Sequence, residues 1–448
     1  MAAVARAVGA VPLPLSPDEA YYWLWAQRLD WSYLDQPPMI AYLIFLTTRV
    51  GDSALWVRIA PLLLGAATSY ALFLLARELF DERVGLRAVV LFQVVPILWL
   101  SGVLATPDAP LYLAWTLALR FLWQALHGRP QRWTTTGVAI GLGLLSKLYI
   151  AFLGVGAGVF VALYHRSWLR RKEPYFAAGL ALVLFLPVIY WNLQHDWAAV
   201  RFVLYERVTR APHGVAGLRL FLSQYLEFVL VFVIAFPWAL WFAWKQRTDE
   251  RYAYLFWTSL PAIVFPLVTA PGGAAFGHWV GPAHLALAIV LAARWNRSIA
   301  VLTGVAGALV ALTYALIFIP GLPPPPGGAH AYGWGEALDR ARREAGALGQ
   351  NAVLVTDSDQ IAAELAYLAK GTIPVLLLPN PDAASIWPSP ARFAGAPAVA
   401  VTYLHSTLDW KRCFTAVEET TTIKVRFRGW PLAEYRVFRL HGLLPRCD

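Results

Sequence analysis

The sequence predicts an all-α polytopic membrane protein that ends in a small extracytoplasmic α/β domain. Of its 448 residues, 58 % are hydrophobic and 14 % are charged, whereas a soluble chain has about 45–50 % apolar and about 25 % charged residues. Apolar runs of the length that crosses a bilayer follow one another as far as residue 320. After residue 330, short apolar stretches alternate with polar ones, which is typical of strands.

Nine apolar runs predict the membrane-spanning segments. They are residues 55–76, 86–105, 109–126, 137–164, 176–191, 220–244, 252–270, 279–293 and 299–320. The run 137–164 lies between two basic loops, so it must cross twice or re-enter, yet at about 1.5 Å per residue it is too short for two upright spans. We therefore expect a break near Ser146, Lys147, Leu148 and Tyr149.

Basic residues are concentrated in every second connecting segment. They are Arg77, Arg83 and Arg87; Arg129 and Arg132; Arg166, Arg170, Arg171 and Lys172; Lys245, Arg247 and Arg251; and Arg294 and Arg297. The positive-inside rule makes these segments cytoplasmic, and the other segments face outward. The net charge of +10 is explained in this way and predicts no nucleic-acid partner, because no binding motif accompanies it.

Three domains are expected from the change of pattern. Residues 1–320 form the multi-span membrane domain, 321–330 a Pro/Gly-rich linker and 331–448 a soluble extracytoplasmic α/β domain. Strands are predicted at 352–356, 373–378, 398–403, 423–427 and 435–440, and helices at 335–346 and 359–370. Whether Cys413 and Cys447 pair in this domain stays open.

Three carboxylates fall in outward-facing segments. Asp18, followed by Glu19, begins a stretch expected to lie at the membrane interface, Asp35 precedes two prolines, and Asp108 stands on a proline-flanked turn. Each has a structural alternative: Ser16 or Asp18 caps a helix, Asp35 precedes a helix start, and Asp108 is another cap. Ionisable residues at the edge of the hydrocarbon indicate function, and three on one face are typical of a membrane-embedded active site.

Further candidates are assigned to substrate binding. Lys147 lies between two apolar segments, where its charge needs an anion, either a phosphate or one of the aspartates. Tyr21 and Tyr22 flank the Asp-Glu pair and also suit an interfacial helix. His195 and His278 lie in outward-facing segments, where a lone histidine is more often an interface residue than a ligand.

Four segments carry a family resemblance. They are residues 14–44, 103–110, 141–150 with the motif LLSK, and 191–197 with the motif WNLQHDW. They resemble glycosyltransferase family 39, the bacterial relatives of protein O-mannosyltransferases and of the lipid A aminoarabinose transferase, which have the membrane-embedded GT-C fold. Members of this family carry a full helix before the Asp-Glu loop, so we expect either that the sequence starts at the wrong methionine or that the first helix is missing. A missing helix would deprive Asp18 of its membrane anchor and affect the activity of this exact chain.

The resemblance implies a transferase that moves one sugar from a polyprenyl-phosphate donor to an extracytoplasmic acceptor, which is lipid A, another glycan, a glycolipid or a protein. It implies that Asp18 is essential, with Glu19 beside it, and that Lys147 contacts the donor phosphate. It also associates Asp35 and Asp108 with a divalent metal of unidentified kind. With Asp18 as the base, a single displacement inverts the anomeric carbon, while Lys147 neutralises the departing phosphate.

Two other classes of protein remain as alternatives. A transporter or flippase for lipid-linked sugars needs polar groups near the midplane, whereas the acids here cluster at the outer ends of spans. A scaffolding protein would leave Lys147 and Asp108 without a purpose. We therefore expect a multi-pass enzyme of the plasma (inner) membrane, whose active site and C-terminal domain are extracytoplasmic.

Overall fold

The computed structural model describes residues 6, 9, 13–206, 209, 212–273, 275–319, 321–323, 332–379, 386–404, 406 and 408–445. The chain forms two compact units. The first unit consists of Met1–Val8, Asp30–Tyr42 and Arg58–Ala311. The second unit consists of Gly9–Leu29, Leu43–Val57 and Leu312–Asp448. Most of the expected linker 321–330 lies outside the described residues.

Helices dominate the described residues. They are α1 (Pro17–Gln27), α2 (Met39–Thr48), α3 (Ala54–Leu79), α4 (Glu82–Val94), α5 (Pro96–Leu100), α6 (Asp108–Leu126), α7 (Arg132–Ser146), α8 (Ala151–Tyr164), α9 (Glu173–Gln194), α10 (Ala198–Arg201), α11 (Val215–Val229), α12 (Ala235–Lys245), α13 (Glu250–Thr269), α14 (Gly281–Ala293), α15 (Arg297–Phe318), α16 (Trp334–Leu348) and α17 (Asp359–Ala369). Short 3₁₀ turns are Leu148–Ile150, Arg166–Arg170, Leu230–Phe232, Ala270–Gly272, Gly277–Val280, Pro390–Phe393 and Trp410–Arg412, and a π turn is Phe202–Glu206.

Within the described residues, five helical segments are long and apolar enough to cross a membrane. They are Ala54–Leu79, Glu173–Gln194, Val215–Phe232, Glu250–Gly272 and Arg297–Phe318. They coincide with five of the predicted runs, in full or in their first half. The prediction of a polytopic membrane protein is therefore confirmed by helix length and composition.

Two predicted spans are wrong as continuous helices. The run 86–105 is divided into α4 and α5, because Pro96 disfavours helical backbone at the preceding Val95, which is extended. The run 220–244 is divided into α11 and α12, and Leu230 between them has a φ of +50°. Hydropathy does not detect either break, because apolar residues continue through both of them.

The predicted break in the run 137–164 is confirmed. Helix α7 ends at Ser146, Lys147 has extended backbone (φ −161°, ψ 130°), and α8 begins at Ala151 after one 3₁₀ turn. The two arms contain 15 and 14 residues, which at about 1.5 Å per residue gives about 22 and about 21 Å. Each arm is thus shorter than the hydrocarbon core, about 30 Å thick.

Close helix approach holds both arms within the first unit. A Cβ on Gly137 of α7 would lie 2.4 Å from the carbonyl oxygen of Ala177 on α9. A Cβ on Gly156 of α8 would lie 2.2 Å from the carbonyl oxygen of Trp257 on α13. Small residues at such crossings allow helix backbones to pack closely in lipid, where contact rather than the hydrophobic effect drives association.

The second unit contains a five-stranded sheet in the order β2-β1-β3-β5-β4. The strands are β1 (Val353–Thr356), β2 (Val375–Leu377), β3 (Ala398–Tyr403), β4 (Phe414–Phe427) and β5 (Trp430–Leu443). Strands β2, β1 and β3 are parallel, and β3, β5 and β4 are antiparallel. With α16 and α17, the predicted α/β fold is confirmed. Strand β4 begins nine residues before the predicted start, since its exposed first half is polar and lacks the apolar alternation.

The structure describes one of the two cysteines in the sequence. Cys413 is buried and disulfide-bonded. Cys447, the other cysteine in the sequence, lies outside the described residues.

Candidate active site

Helix α1 begins with a capping box. The Oγ of Ser16 accepts a hydrogen bond from the backbone N–H of Glu19 (3.4 Å), and the carboxylate of Glu19 accepts from the backbone N–H of Ser16 (3.0 Å) and from its hydroxyl (3.1 Å). These bonds satisfy N–H groups that a helix start leaves open. Of the two caps considered from the sequence, Ser16 is the one observed. Glu19 is fully buried and fixes the helix start.

Asp18 is the exposed member of the predicted Asp-Glu pair. It lies in the first turn of α1, beside the buried Glu19. The positive end of the helix dipole stabilises a carboxylate there. Asp18 is therefore the exposed carboxylate of the pair, while the Glu19 carboxylate is used in the capping box.

Aromatic rings follow Asp18 along α1. The rings of Tyr21 and Tyr22 lie 5.1 and 4.9 Å from that of Trp25, and Tyr21 is stacked 6.4 Å from Trp387. Both tyrosines are half-buried. Their rings therefore pack within the second unit, whatever further contact they make with substrate.

Asp108 and Lys147 form an ion pair in the first unit. The Nζ of Lys147 donates to both carboxylate oxygens of Asp108, at 3.0 and 3.2 Å. The side chains are 10 % and 20 % exposed. The aspartate pairing considered for Lys147 is therefore observed, and its contact with a donor phosphate stays a prediction. Asp108 is the first residue of α6 and not its cap.

Two tyrosines missed by the sequence analysis lie near this ion pair. They are Tyr112, one turn after Asp108 on α6, and Tyr149, two residues after Lys147. Each phenol lies close enough to Asp108 to interact electrostatically with its carboxylate. The hydroxyl of Tyr149 donates to the carbonyl of Ala262. The signal for Tyr112 was local spacing, because residues i and i+4 share one face of a helix. Tyr149 had no such signal, because it lies in the 3₁₀ turn after Lys147.

Tyr112 is packed against a glycine that leaves no room for a side chain. A Cβ added to Gly281, the first residue of α14, would lie 1.8 Å from the Tyr112 hydroxyl. The wall beside the ion pair thus depends on a residue without a Cβ.

The loop that carries Asp35 is held by Asp30, which the sequence analysis did not select. The indole N–H of buried Trp191 donates to a carboxylate oxygen of Asp30 (2.9 Å), and the Tyr42 hydroxyl donates to its carbonyl (2.8 Å). Asp35 itself is half-buried. Burial raises the pKa of the nearby Tyr33 phenol, so this group stays neutral. The contact between Asp30 and Trp191 had no signal in the sequence, because the two residues are 161 positions apart.

The two predicted histidines have aromatic neighbours. His195 stacks 4.1 Å from Trp191 and its Nδ1 lies 2.8 Å from the Trp191 carbonyl oxygen. The ring of His278 lies 5.7 Å from that of Phe228 and 5.8 Å from that of Phe276. These contacts orient both rings, and their assignment to substrate binding stays a prediction.

Asp35 and Asp108 do not by themselves make a complete metal site. Both oxygens of Asp108 receive hydrogen bonds from Lys147. Within the ranges that the structure describes, neither residue belongs to a group of three or more His, Cys, Asp or Glu side chains with converging ligand atoms. The metal implied by the resemblance stays a prediction, and no chemical step below depends on it.

A cavity of about 750 Å³ lies within the second unit. Its lining combines cations with aromatic rings and contains Arg28, Arg49, Lys370 and Arg392 together with Asp52, Trp23, Trp387 and Phe393. Lys370 pairs with Asp52, and Arg49 lies 4.2 Å from the Phe45 ring. The cavity therefore suits a molecule with both anionic and apolar parts.

Known proteins match both the sequence and the fold. The model of the family described as dolichyl-phosphate-mannose-protein mannosyltransferase matches residues 35–191. The lipid A galacturonosyltransferase RgtD of Rhizobium johnstonii is 29 % identical over 372 residues, which cover 78 % of this chain and 76 % of the relative. The crystal structure of ArnT from Cupriavidus metallidurans bound to undecaprenyl phosphate has a TM-score of 0.69 at 16 % identity. The superposition covers 98 % of this chain and 96 % of the ArnT chain.

The chain is thus similar in sequence to glycosyltransferase 39-like membrane glycosyltransferases and shares the fold of ArnT. Another relative in this family is the undecaprenyl phosphate-alpha-4-amino-4-deoxy-L-arabinose arabinosyl transferase of Pseudomonas aeruginosa strain LESB58, 29 % identical over 268 residues. That match covers 55 % of this chain, and the chain spans about half (47 %) of the relative. The predicted family, fold class and glycosyltransferase activity are thus confirmed. The part matched by the family model contains Asp35, Asp108 and Lys147.

Proposed function

We propose that this glycosyltransferase moves one sugar from a polyprenyl-phosphate donor to an anionic glycolipid of the lipid A class on the extracytoplasmic face. The names of the relatives support this donor and acceptor. The observation that carries the proposal is the Lys147 ammonium, held by Asp108 at the break of a membrane hairpin. A buried ammonium with one carboxylate partner is a ready site for a phosphate.

On the donor side, Asp108 keeps Lys147 charged and in place before the donor binds. A phosphate oxygen then becomes a second anion for the same ammonium, and charge-assisted hydrogen bonds of this kind are among the strongest in proteins. As the sugar–phosphate bond breaks, negative charge grows on the leaving phosphate. A fixed ammonium in a site sheltered from water stabilises that charge most where it develops.

On the acceptor side, the cavity of the second unit supports an anionic glycolipid. Its cationic side chains suit phosphate or carboxylate groups, and its aromatic rings suit sugar or acyl carbons. Arg49 and Arg392 are exposed and are the first residues that we assign to the acceptor.

Asp18 is the proposed base, as the resemblance implies and as its exposure in the first turn of α1 supports. The acceptor hydroxyl oxygen forms a bond to the anomeric carbon, its proton passes to the Asp18 carboxylate, and the bond from that carbon to the phosphate oxygen breaks. The electron pair leaves with the phosphate. One displacement inverts the anomeric centre, so a product with retained configuration would contradict this mechanism.

The test uses purified protein in detergent with a synthetic polyprenyl-phosphate sugar and lipid A, and mass spectrometry detects the product. Lys147→Ala should abolish transfer, Lys147→Arg should retain part of it, and the matched control Lys172→Ala, an exposed lysine, should behave as the unmodified chain. Transfer that survives Lys147→Ala would refute the donor site. Movement of the lipid-linked sugar across vesicles without transfer would favour the transporter instead.

The acceptor is tested separately. Arg49→Ala and Arg392→Ala together should raise KM for lipid A and leave KM for the donor unchanged. Equal KM values for lipid A, or transfer to a neutral acceptor as fast as to lipid A, would contradict an anionic acceptor.

A further inference from the structure

Three ionisable side chains outside the candidate active site converge where three helices end or begin. His127 directly follows α6, His165 directly follows α8, and Glu250 is the first residue of α13. All three lie in the first unit. Helix α6 has 19 residues, so His127 and Asp108 stand at its opposite ends, about 28 Å apart. The cluster is therefore separate from the Asp108–Lys147 pair.

The ligand atoms of this cluster point at one another. The Nε2 of His127 lies 3.3 Å from Oε1 of Glu250, and the Nε2 of His165 contacts the same oxygen. The two imidazole nitrogens and the carboxylate oxygen all lie within 4.8 Å of one another. Zinc binds such atoms at about 2.0–2.2 Å, which puts neighbouring ligands of a tetrahedral ion about 3.4 Å apart.

Surrounding groups orient His127 as a ligand. Its Nδ1 lies 2.8 Å from the carbonyl oxygen of Trp123, an acceptor, so Nδ1 donates there and Nε2 faces Glu250. The Trp123 ring stacks 3.9 Å from the imidazole. A second hydrogen bond that fixes the tautomer is the usual support of a metal-binding histidine.

The neighbouring Arg251 forms its ion pair with Asp249 and not with Glu250. Arg251 donates to both oxygens of Asp249, at 2.6 Å for the shortest contact. The side chains of His127 and Glu250 are 36 % and 37 % exposed, so an ion and a fourth, water ligand can enter.

We propose that His127, His165 and Glu250 bind a divalent transition-metal ion, best matched to Zn²⁺, at the arginine-rich end of the first unit. Imidazole ligands favour zinc, copper, nickel and iron over magnesium and calcium. The positive-inside rule makes this end cytoplasmic. The ion joins α6, α8 and α13 at the end opposite the ion pair, and its role is structural. This site does not depend on the proposed sugar transfer.

The test measures zinc uptake by the full chain in detergent micelles. The protein is dialysed against a chelator and equilibrated with Zn²⁺, and bound metal per chain is counted by elemental mass spectrometry. His165→Ala and Glu250→Gln should each bind one ion fewer per chain, or bind it with a much lower affinity. The loss of affinity should exceed the roughly 10–100-fold that removal of an outer-shell partner causes. The control His441→Ala, an exposed histidine of β5, should keep the ion.

If a variant does not fold, X-ray absorption at the zinc edge of the unmodified chain identifies the ligands of the bound ion. Two imidazoles and one carboxylate around the ion would support the site. No uptake by the unmodified chain, uptake unchanged in both variants, or a spectrum without histidine would overturn it. Sugar transfer measured on the same samples keeps this outcome apart from that of the proposed function.

Discussion

Asp108→Asn should leave the Lys147 ammonium buried without a counter-ion. The two charged groups are 3.0 Å apart, and Coulomb's law with an effective dielectric constant of 20 gives about 5.5 kcal/mol for unit charges at that distance. Desolvation of both groups offsets part of this attraction. Removal of one partner from a buried pair costs about 3–5 kcal/mol, and we expect a loss of unfolding free energy in that range.

The double variant Asp108→Asn with Lys147→Met separates charge from packing. Replacing both partners of a buried pair is often neutral or stabilising, so stability should return while sugar transfer stays lost. The matched control is Asp52→Asn. Its partner Lys370 is 39 % exposed and Asp52 is 56 % exposed, and a surface pair contributes about 0–1 kcal/mol.

The assay is unfolding of the purified chain in mixed detergent micelles, followed by tryptophan fluorescence. Asp108→Asn should lower the melting temperature by several degrees, and Asp52→Asn should leave it nearly unchanged. Equal stability of Asp108→Asn and the unmodified chain would refute the buried pair. Failure of the double variant to recover would show that the lost stability comes from packing and not from charge.

Three further outcomes follow from the local geometry. Gly281→Ala should destabilise the chain by about 1–3 kcal/mol, because its Cβ would lie 1.8 Å from the Tyr112 hydroxyl; an unchanged melting temperature would contradict that contact. Asp18→Asn should abolish transfer and leave the melting temperature unchanged, and normal turnover would exclude Asp18 as the base. Ser16→Ala should cost about 1 kcal/mol and lower transfer less than Asp18→Asn does. Glu19→Ala should have a similar effect, because each variant breaks the capping box. If neither variant lowers the melting temperature, the box contributes no stability.

Much of the fold could be predicted because its causes are local. The break at Lys147 followed from the charges on both sides of one apolar run, and the strands of the second unit followed from alternation. The helix break at Pro96 had only an ambiguous signal, because Pro61, Pro187 and Pro261 lie in apolar runs whose helices continue. The φ of +50° at Leu230 had no signal, since nothing in its side chain requires it.

The site was predictable as a set of residues but not as a set of contacts. Asp108 and Lys147 were selected by charge in apolar surroundings, yet their pairing with each other needed the fold, because 39 residues separate them. The bond from Trp191 to Asp30 had no sequence signal at all. The cluster of His127, His165 and Glu250 also had no sequence signal, because each of these residues by itself is an ordinary residue at a helix end.

The hairpin of α7 and α8 has a consequence for how the chain is made. Two arms of about 21–22 Å with an ammonium at their junction are poor substrates for independent insertion into lipid. Asp108 precedes Lys147 by 39 residues in the chain, so the carboxylate is synthesised before the ammonium that it neutralises. Pairing with Asp108 lowers the cost of placing the Lys147 charge between two apolar arms, and the hairpin of α7 and α8 therefore depends on a residue at the start of α6.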